Sequence, residues 1–224
     1  MPTFSTLFTP PSTPTDFTLT ADILLSRVAM SWTATALGVD FASYTISRSI
    51  DNGPWQVIAI ITTEAIVTFD DFEAPLNSSL QYRLTVTNTT GLESLPAEGA
   101  ATLESRGWWL VTPGDPEQTF ELRVVVDYDD RAPLEEERFM PLGRSKKLVV
   151  IGELMGVEGS IDVDLSREDA AIVGQIRDAA LYAGTYVMIK SPFGDVYRSQ
   201  IGTVERKRGV AGRQRVSFDF VEVA

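Results

Sequence analysis

The chain has no cysteine and no histidine among its 224 residues. Without cysteine there is no disulfide, no thiolate metal site and no thiol nucleophile. That suits a protein made in a reducing cytoplasm. Without histidine the usual general base and the commonest transition-metal ligand are missing. A hydrolytic relay would have to run on lysine or carboxylate, so a non-enzyme without cofactor or metal is the expectation. Positive charge is scarce as well: 19 Lys and Arg stand against 31 Asp and Glu, a net of −12. Nucleic-acid binding needs a basic face to displace counterions from phosphate, so sequence-specific nucleic-acid recognition is not expected. No apolar run approaches the roughly 18 residues of a membrane helix, and membrane insertion is not expected. The opening Met1-Pro2-Thr3-Phe4-Ser5 carries neither a basic region nor an apolar stretch of signal-peptide length, so Sec export is not expected. The chain has no Walker motif and no nucleophile elbow. Gly152-Glu-Leu-Met-Gly156 lacks the third glycine and following helix of a dinucleotide fingerprint. The sequons at Asn77 and Asn88 matter only in a eukaryotic secretory pathway.

What is present is enough apolar residue, 44%, for a core in each half. Residues 1–101 hold three basic residues (Arg27, Arg48, Arg83) and ten acids, a net of −7. Residues 102–224 hold the other sixteen basic residues and twenty-one acids, a net of −5. This break predicts two domains. Residues 1–15 read as an extended arm with polyproline character, from Pro10, Pro11 and Pro14. Phe4 and Phe8 are apolar beads on it, equally suited to their own domain or to a neighbouring subunit.

Residues 16–101 read as an all-β sandwich, with alternating runs broken by turn signals every eight to twelve residues. Val28, Met30 and Trp32 share one face, and Tyr44 and Ile46 another, with Phe41 a further candidate. Asp51-Asn52-Gly53-Pro54 predicts a tight turn, since Asn and Gly tolerate positive φ. Trp55, Val57 and Ile60 begin the next strand, and Tyr82, Leu84 and Val86 point inward on a later one. On Val28-Ala29-Met30-Ser31-Trp32, Tyr44 to Ser49, Leu76 with Tyr82 to Val86, and the Gly91–Pro96 turn, this region resembles a fibronectin type III domain. The resemblance implies a spacer or adhesive module. No Arg-Gly-Asp occurs.

Residues 102–106 read as a linker, and 107–224 as a second domain. Phe120, Leu122, Val124 and Val126 predict a half-buried strand. Residues 128–137 are so charged that an exposed loop is expected. Strands are expected at 147–151, 159–165 and 186–190, with Ile161 and Val163 inward and Asp162 and Asp164 outward. One helix is expected from the Ser166 cap to Gly184, with Ile172, Ile176, Ala179, Ala180 and Ala183 on its apolar stripe. A hairpin closes the chain, 196–206 and 213–223 around Gly209-Val210-Ala211-Gly212.

Three charged groupings stand out. Asp127, Asp129 and Asp130 could hold calcium through oxygen, but Ala132 occupies the position where an EF-hand loop needs glycine, so an exposed loop is the better reading. Asp162 and Asp164 lie about 7 Å apart along a strand, a separation used by paired glycosidase carboxylates. A solvated strand face shows the same spacing, and that reading is preferred. Arg206, Lys207, Arg208, Arg213 and Arg215 crowd five cations into ten residues of an acidic chain. They read either as a solvated hairpin end or as an arm meeting an acidic partner surface. In a homo-oligomer that surface could be the acidic loop Asp129, Asp130, Glu135, Glu136 and Glu137, or the first domain of the next copy. DNA contact ranks below both, since the tip lacks stacking aromatics.

Gly152-Glu153-Leu154 to Asp164, the capped helix, Ser191-Pro192-Phe193-Gly194-Asp195-Val196-Tyr197 and the closing Phe218 to Val223 together resemble the split-barrel domain of distal-tail and minor-tail proteins of long-tailed phages, especially actinophages. The overall expectation is thus a mainly β chain, a fibronectin type III sandwich followed by a split-barrel-like α+β domain with one helix. The resemblance implies a minor tail protein of the virion's tail tip, in a homo-oligomeric ring or as a peripheral subunit, made in the host cytoplasm. Its partners would be other copies in a ring and the neighbouring tail tube, tape measure and tip proteins. One alternative is a host-envelope adhesin that grips cell-surface glycan through Trp55, Trp108 or Trp109. Another is an accessory domain of a tail-associated hydrolase.

Overall fold

The structure is a computed structural model. It describes residues 9–113, 118–122, 125–131, 134–139, 148–154, 157–165, 174, 176, 186–208 and 214–223; for 131, 134–139, 148–154 and 208 it describes the backbone alone. The chain divides into two compact units, Met1–Ser105 and Arg106–Ala224.

Unit 1 forms the expected fibronectin type III-like sandwich of two antiparallel sheets. One contains β1 (Thr15–Asp22), β2 (Arg27–Thr33) and β5 (Thr68–Asp71), in the order β1-β2-β5. The other contains β3 (Phe41–Ile50), β4 (Gln56–Ile61), β6 (Leu80–Asn88) and β7 (Ala97–Ala101), in the order β4-β3-β6-β7. Period-2 patterning sends Val28, Met30 and Trp32 from β2 into the core, where they join Tyr44 and Ile46 from β3 and Leu84 and Val86 from β6. Trp32 meets Tyr44 edge-on, ring centroids 5.4 Å apart. The predicted turn forms, but its two positive-φ residues are Asp51 and Asn52 (50° and 59°), not Asn52 and Gly53.

The sandwich also buries a polar group. One terminal nitrogen of Arg48 donates to both oxygens of Asp71, at 3.0 and 2.7 Å. The Tyr82 hydroxyl donates to the same carboxylate at 2.9 Å, and the Glu73 backbone N–H donates to it at 3.0 Å. Burial, reinforced by this anion, pushes the Tyr82 hydroxyl's pKa well above the ordinary tyrosine range.

Unit 2 is built on a seven-stranded antiparallel sheet ordered β10-β13-β16-β15-β14-β8-β9. Its strands are β8 (Trp108–Val111), β9 (Phe120–Leu122), β10 (Val125–Arg131), β13 (Glu158–Leu165), β14 (Val187–Lys190), β15 (Val196–Arg208) and β16 (Gln214–Glu222). A separate pair joins β11 (Leu134–Phe139) to β12 (Leu148–Leu154). The outermost strands β9 and β10 are not paired with one another among the described residues, so no closed barrel is found there. The core lies on one face, with Trp108, Leu110, Phe120, Leu122, Ile161, Val163, Val216, Phe218 and Phe220 at its centre.

Two expectations need correction. Residues 128–137 are not one loop: Asp129 and Asp130 lie in β10, and Glu135, Glu136 and Glu137 lie in β11. Strand pairing overrides the weak β-propensity of carboxylates, because one face of the sheet stays solvated while Tyr128 packs inward against the core. The alternation read from Phe120 also fails to continue. Phe120 and Leu122 are buried, but Val126 is 52% exposed and Val125 packs on the core. Of the expected helix, Gly174 and Ile176 have helical backbone and Ile176 is buried in the core; the rest lies outside the described residues.

Candidate protein-contact surface

The face of the unit 2 sheet turned away from the core follows from register. In β13 and β16, Ile161, Val163, Val216, Phe218 and Phe220 face inward. The alternating partners therefore face outward: Ser160 opposite Asp219, Asp162 opposite Ser217, Asp164 opposite Arg215. β10 adds Asp129, aligned with Ser160. β15 adds Glu205 opposite Ser217 and Lys207 opposite Arg215.

Charge separates along these strands. Near the start of β13, Asp129, Glu158, Ser160 and Asp219 line an open cleft of about 430 Å³, with Gly159, Phe220 and Val221 completing it. Gly159 is required there: a β-carbon would run into the Asp129 carbonyl and meet the Phe220 ring at 2.6 Å. At the hairpin end of the same strands, Asp162, Glu205, Lys207, Arg215 and Ser217 line a second cleft of about 320 Å³. The charged residues of the first cleft are all acidic; the second brings Lys207 and Arg215 together with Asp162 and Glu205.

The five cations of the hairpin are not equivalent. Arg215 is tied within the chain, its Nε donating to Asp162 Oδ2 at 3.1 Å and its terminal nitrogen donating to the same oxygen. A hydrogen bond from Ser217, then the Arg215 guanidinium, hold the Asp162 carboxyl below the usual carboxylate range. Lys207 is outward and exposed, and its charge adds to that effect. Arg206 is half-buried, aligned with the inward Val216. Arg208 lies at the end of β15 with its backbone alone described, and Arg213 lies outside the described residues. Nor does the hairpin project as a free arm, because β13 pairs with β16 as far as Leu165 opposite Gln214.

The acidic residues also divide. Asp129 faces outward into the first cleft, whereas Asp130 accepts from the hydroxyls of Tyr128 (2.9 Å) and Tyr197 (3.0 Å). The tyrosines also bond to each other, at 3.0 Å, and burial pushes the Tyr197 pKa up to about 12. Asp127, Asp129 and Asp130 therefore do not converge as a calcium site would require. Among the described residues no group of three or more potential ligands is placed to hold a metal. Glu135, Glu136 and Glu137 run along β11 opposite β12. The pairs Asp162–Arg215 and Asp130–Tyr197 were not legible in the sequence, since each joins residues more than fifty positions apart.

The tryptophans proposed for glycan contact are mostly enclosed. Trp108 and Trp109 are 5% and 6% exposed, so neither offers a ring face to a sugar. Both lie on β8, an internal strand of the sheet, whose four residues are all buried. Trp55 is half-buried, with the Arg83 guanidinium 4.0 Å from its ring centroid.

No protein-family model matches the chain, and no curated protein matches it either. Among solved structures it is similar to a Fn3-like protein from Clostridium thermocellum, at 23% identity and a TM-score of 0.35, over 43% of this chain and 96% of that one. It is similar to the twitchin kinase region from C. elegans, at 20% identity and a TM-score of 0.36, over 43% of this chain and 17% of that one. The FN1-FN3 domains of chicken CNTN1 match at 13% identity and a TM-score of 0.35, over 93% and 75%.

Proposed function

We propose that this chain is a structural virion protein, a minor tail protein at the tail tip of a long-tailed phage, that works by fitting copies of itself to one another and to neighbouring tail proteins. It acts by packing and charge complementarity, without turnover. The biological setting rests on the resemblance of residues 107–224 described above. The observation that carries the assembly reading is the uneven charge on the outward face of unit 2: the charged residues of the first cleft, Asp129, Glu158 and Asp219, are all acids, whereas the second cleft adds Lys207 and Arg215 to Asp162 and Glu205. An acid-only cleft and a cation-bearing cleft on one face let that face meet a copy of itself head to tail, Lys207 against the acids, and a head-to-tail contact closes into a ring when the rotation allows. Unit 1 then serves as a spacer or adhesive module.

The test is the mass of the purified full chain in solution, measured at low and high salt. Assembly that weakens with salt is expected, because exposed charges are screened. Lys207→Glu should lower the assembled mass, and the double change Lys207→Glu with Asp219→Lys should restore it. A chain that stays monomeric at every salt concentration, or a double variant no better than the single, would overturn the charge reading. Labelled antibody against the chain should decorate the tail tip of phage particles; label absent from particles would overturn the virion reading.

A further inference from the structure

We infer that the β4 edge of unit 1 is a pairing surface for β4 of a second copy of this chain, joining two four-stranded sheets into one across a two-fold axis. This goes beyond the charged contact proposed for unit 2 and rests on different residues. β4 ends its sheet, with β3 on one side only. Its other side presents unpaired backbone groups, which form a ready template for another strand.

The four outer strands of the sandwich are not alike. β1 carries Asp16 and Asp22, β5 carries Asp70 (its Asp71 is buried against Arg48), and β7 carries Glu98. β1 and β7 also close on each other, since a β-carbon on Gly99 would meet the Leu19 side chain at 2.7 Å. β4 reads Gln-Val-Ile-Ala-Ile-Ile, with no charge, proline or glycine. Self-pairing across a two-fold axis sets a strand against its own copy, so any carboxylate on it faces a like charge or a near neighbour of one. β4 is the one edge of this sandwich with no charged side chain, so two copies meet there without setting carboxylates against each other.

The exposed apolar side chains agree with this. Val57 is 59% exposed and Ile60 64%. A bulge in the β3–β4 ladder, where Ile46 aligns with Ala59 and Ser47 with Val57, places Val57 and Ile60 on the same outward face. Antiparallel pairing packs these side chains from the two copies together. Natural edges are guarded by charge, proline, short length, cover or bulges, and among these β4 has the bulge alone.

The test is sedimentation equilibrium of the full chain with hydrogen exchange at two protein concentrations. Amides of 56–61 should gain protection as concentration rises, while those of β1 and β5 should not. Ile60→Lys should raise the apparent dissociation constant of this step about tenfold or more, by setting like charges near the axis. Leu95→Lys, at another exposed apolar position, serves as control and should leave it unchanged. High salt separates the two contacts: β4 pairing should persist where the charged contact of unit 2 weakens. Protection at 56–61 that does not change with concentration, or equal effects of Ile60→Lys and Leu95→Lys, would overturn the inference. Loss of the unit 2 contact alone would leave it standing.

Discussion

Each unit holds an arginine against an aspartate, but in opposite surroundings. Arg48 and Asp71 in unit 1 have side chains 8% and 4% exposed. Arg215 and Asp162 in unit 2 have side chains 47% and 24% exposed. The buried pair has exchanged water for a fixed set of partners, so each group depends on the others. The exposed pair keeps its water, contributes little to stability, and leaves its surroundings open to another molecule. In this chain, then, the buried charges serve the fold and the solvated charges are the ones available for contact.

The strongest way to break that comparison is to remove one partner of the buried pair. Arg48→Leu leaves Asp71 buried without its cation and should cost about 3–5 kcal/mol in chemical denaturation. Adding Asp71→Leu should recover part of the loss, since no charge is then left unpaired. A cost below about 1 kcal/mol would place the buried pair in the exposed class.

Tyr82→Phe is the next largest change. It removes one hydroxyl bond to a buried carboxylate, and should cost about 1.5–3 kcal/mol. Its pH dependence has a definite sign. The folded-state pKa of Tyr82 is raised, so its contribution is present below the ordinary tyrosine value of 10.0 and falls as pH rises above it. Wild type should therefore lose stability above pH 10 faster than Tyr82→Phe. Parallel stability curves above that pH would show that this hydroxyl is not held neutral by the fold.

The same contrast explains what was legible in the sequence. The sandwich was readable because Val28, Met30, Trp32, Tyr82, Leu84 and Val86 follow a strict period of two, and Asp51-Asn52 encodes its turn locally. In unit 2 the inward set Ile161 and Val163 was equally plain, as was the closing hairpin. The acidic stretch was misread because composition outweighed pairing: Asp129 and Asp130 sit in a strand held by Ser160 and Gly159, thirty residues away. Sequence distance alone groups the five hairpin cations. Alternation sends Arg206 and Lys207 to opposite faces, and Arg215 is taken by Asp162. Local periodicity carries the core, whereas the surface depends on register between distant strands.

The smallest predicted effect sharpens the comparison from the exposed side. Arg215→Ala should change stability at neutral pH by less than about 1 kcal/mol, as exposed pairs do. The Asp162 carboxyl is held low first by Ser217 and then by Arg215. Its folded-state pKa is depressed, so its contribution is present above the ordinary carboxylate range and is lost as pH falls through the folded value. Ser217→Ala and Arg215→Ala should therefore each raise the Asp162 titration midpoint, measured by carboxyl NMR on the folded chain. A midpoint that Arg215→Ala leaves unmoved would mean that the guanidinium does not hold this carboxylate, whereas a stability loss as large as that of Arg48→Leu would mean that Arg215 is committed to its own chain in the way that Arg48 is.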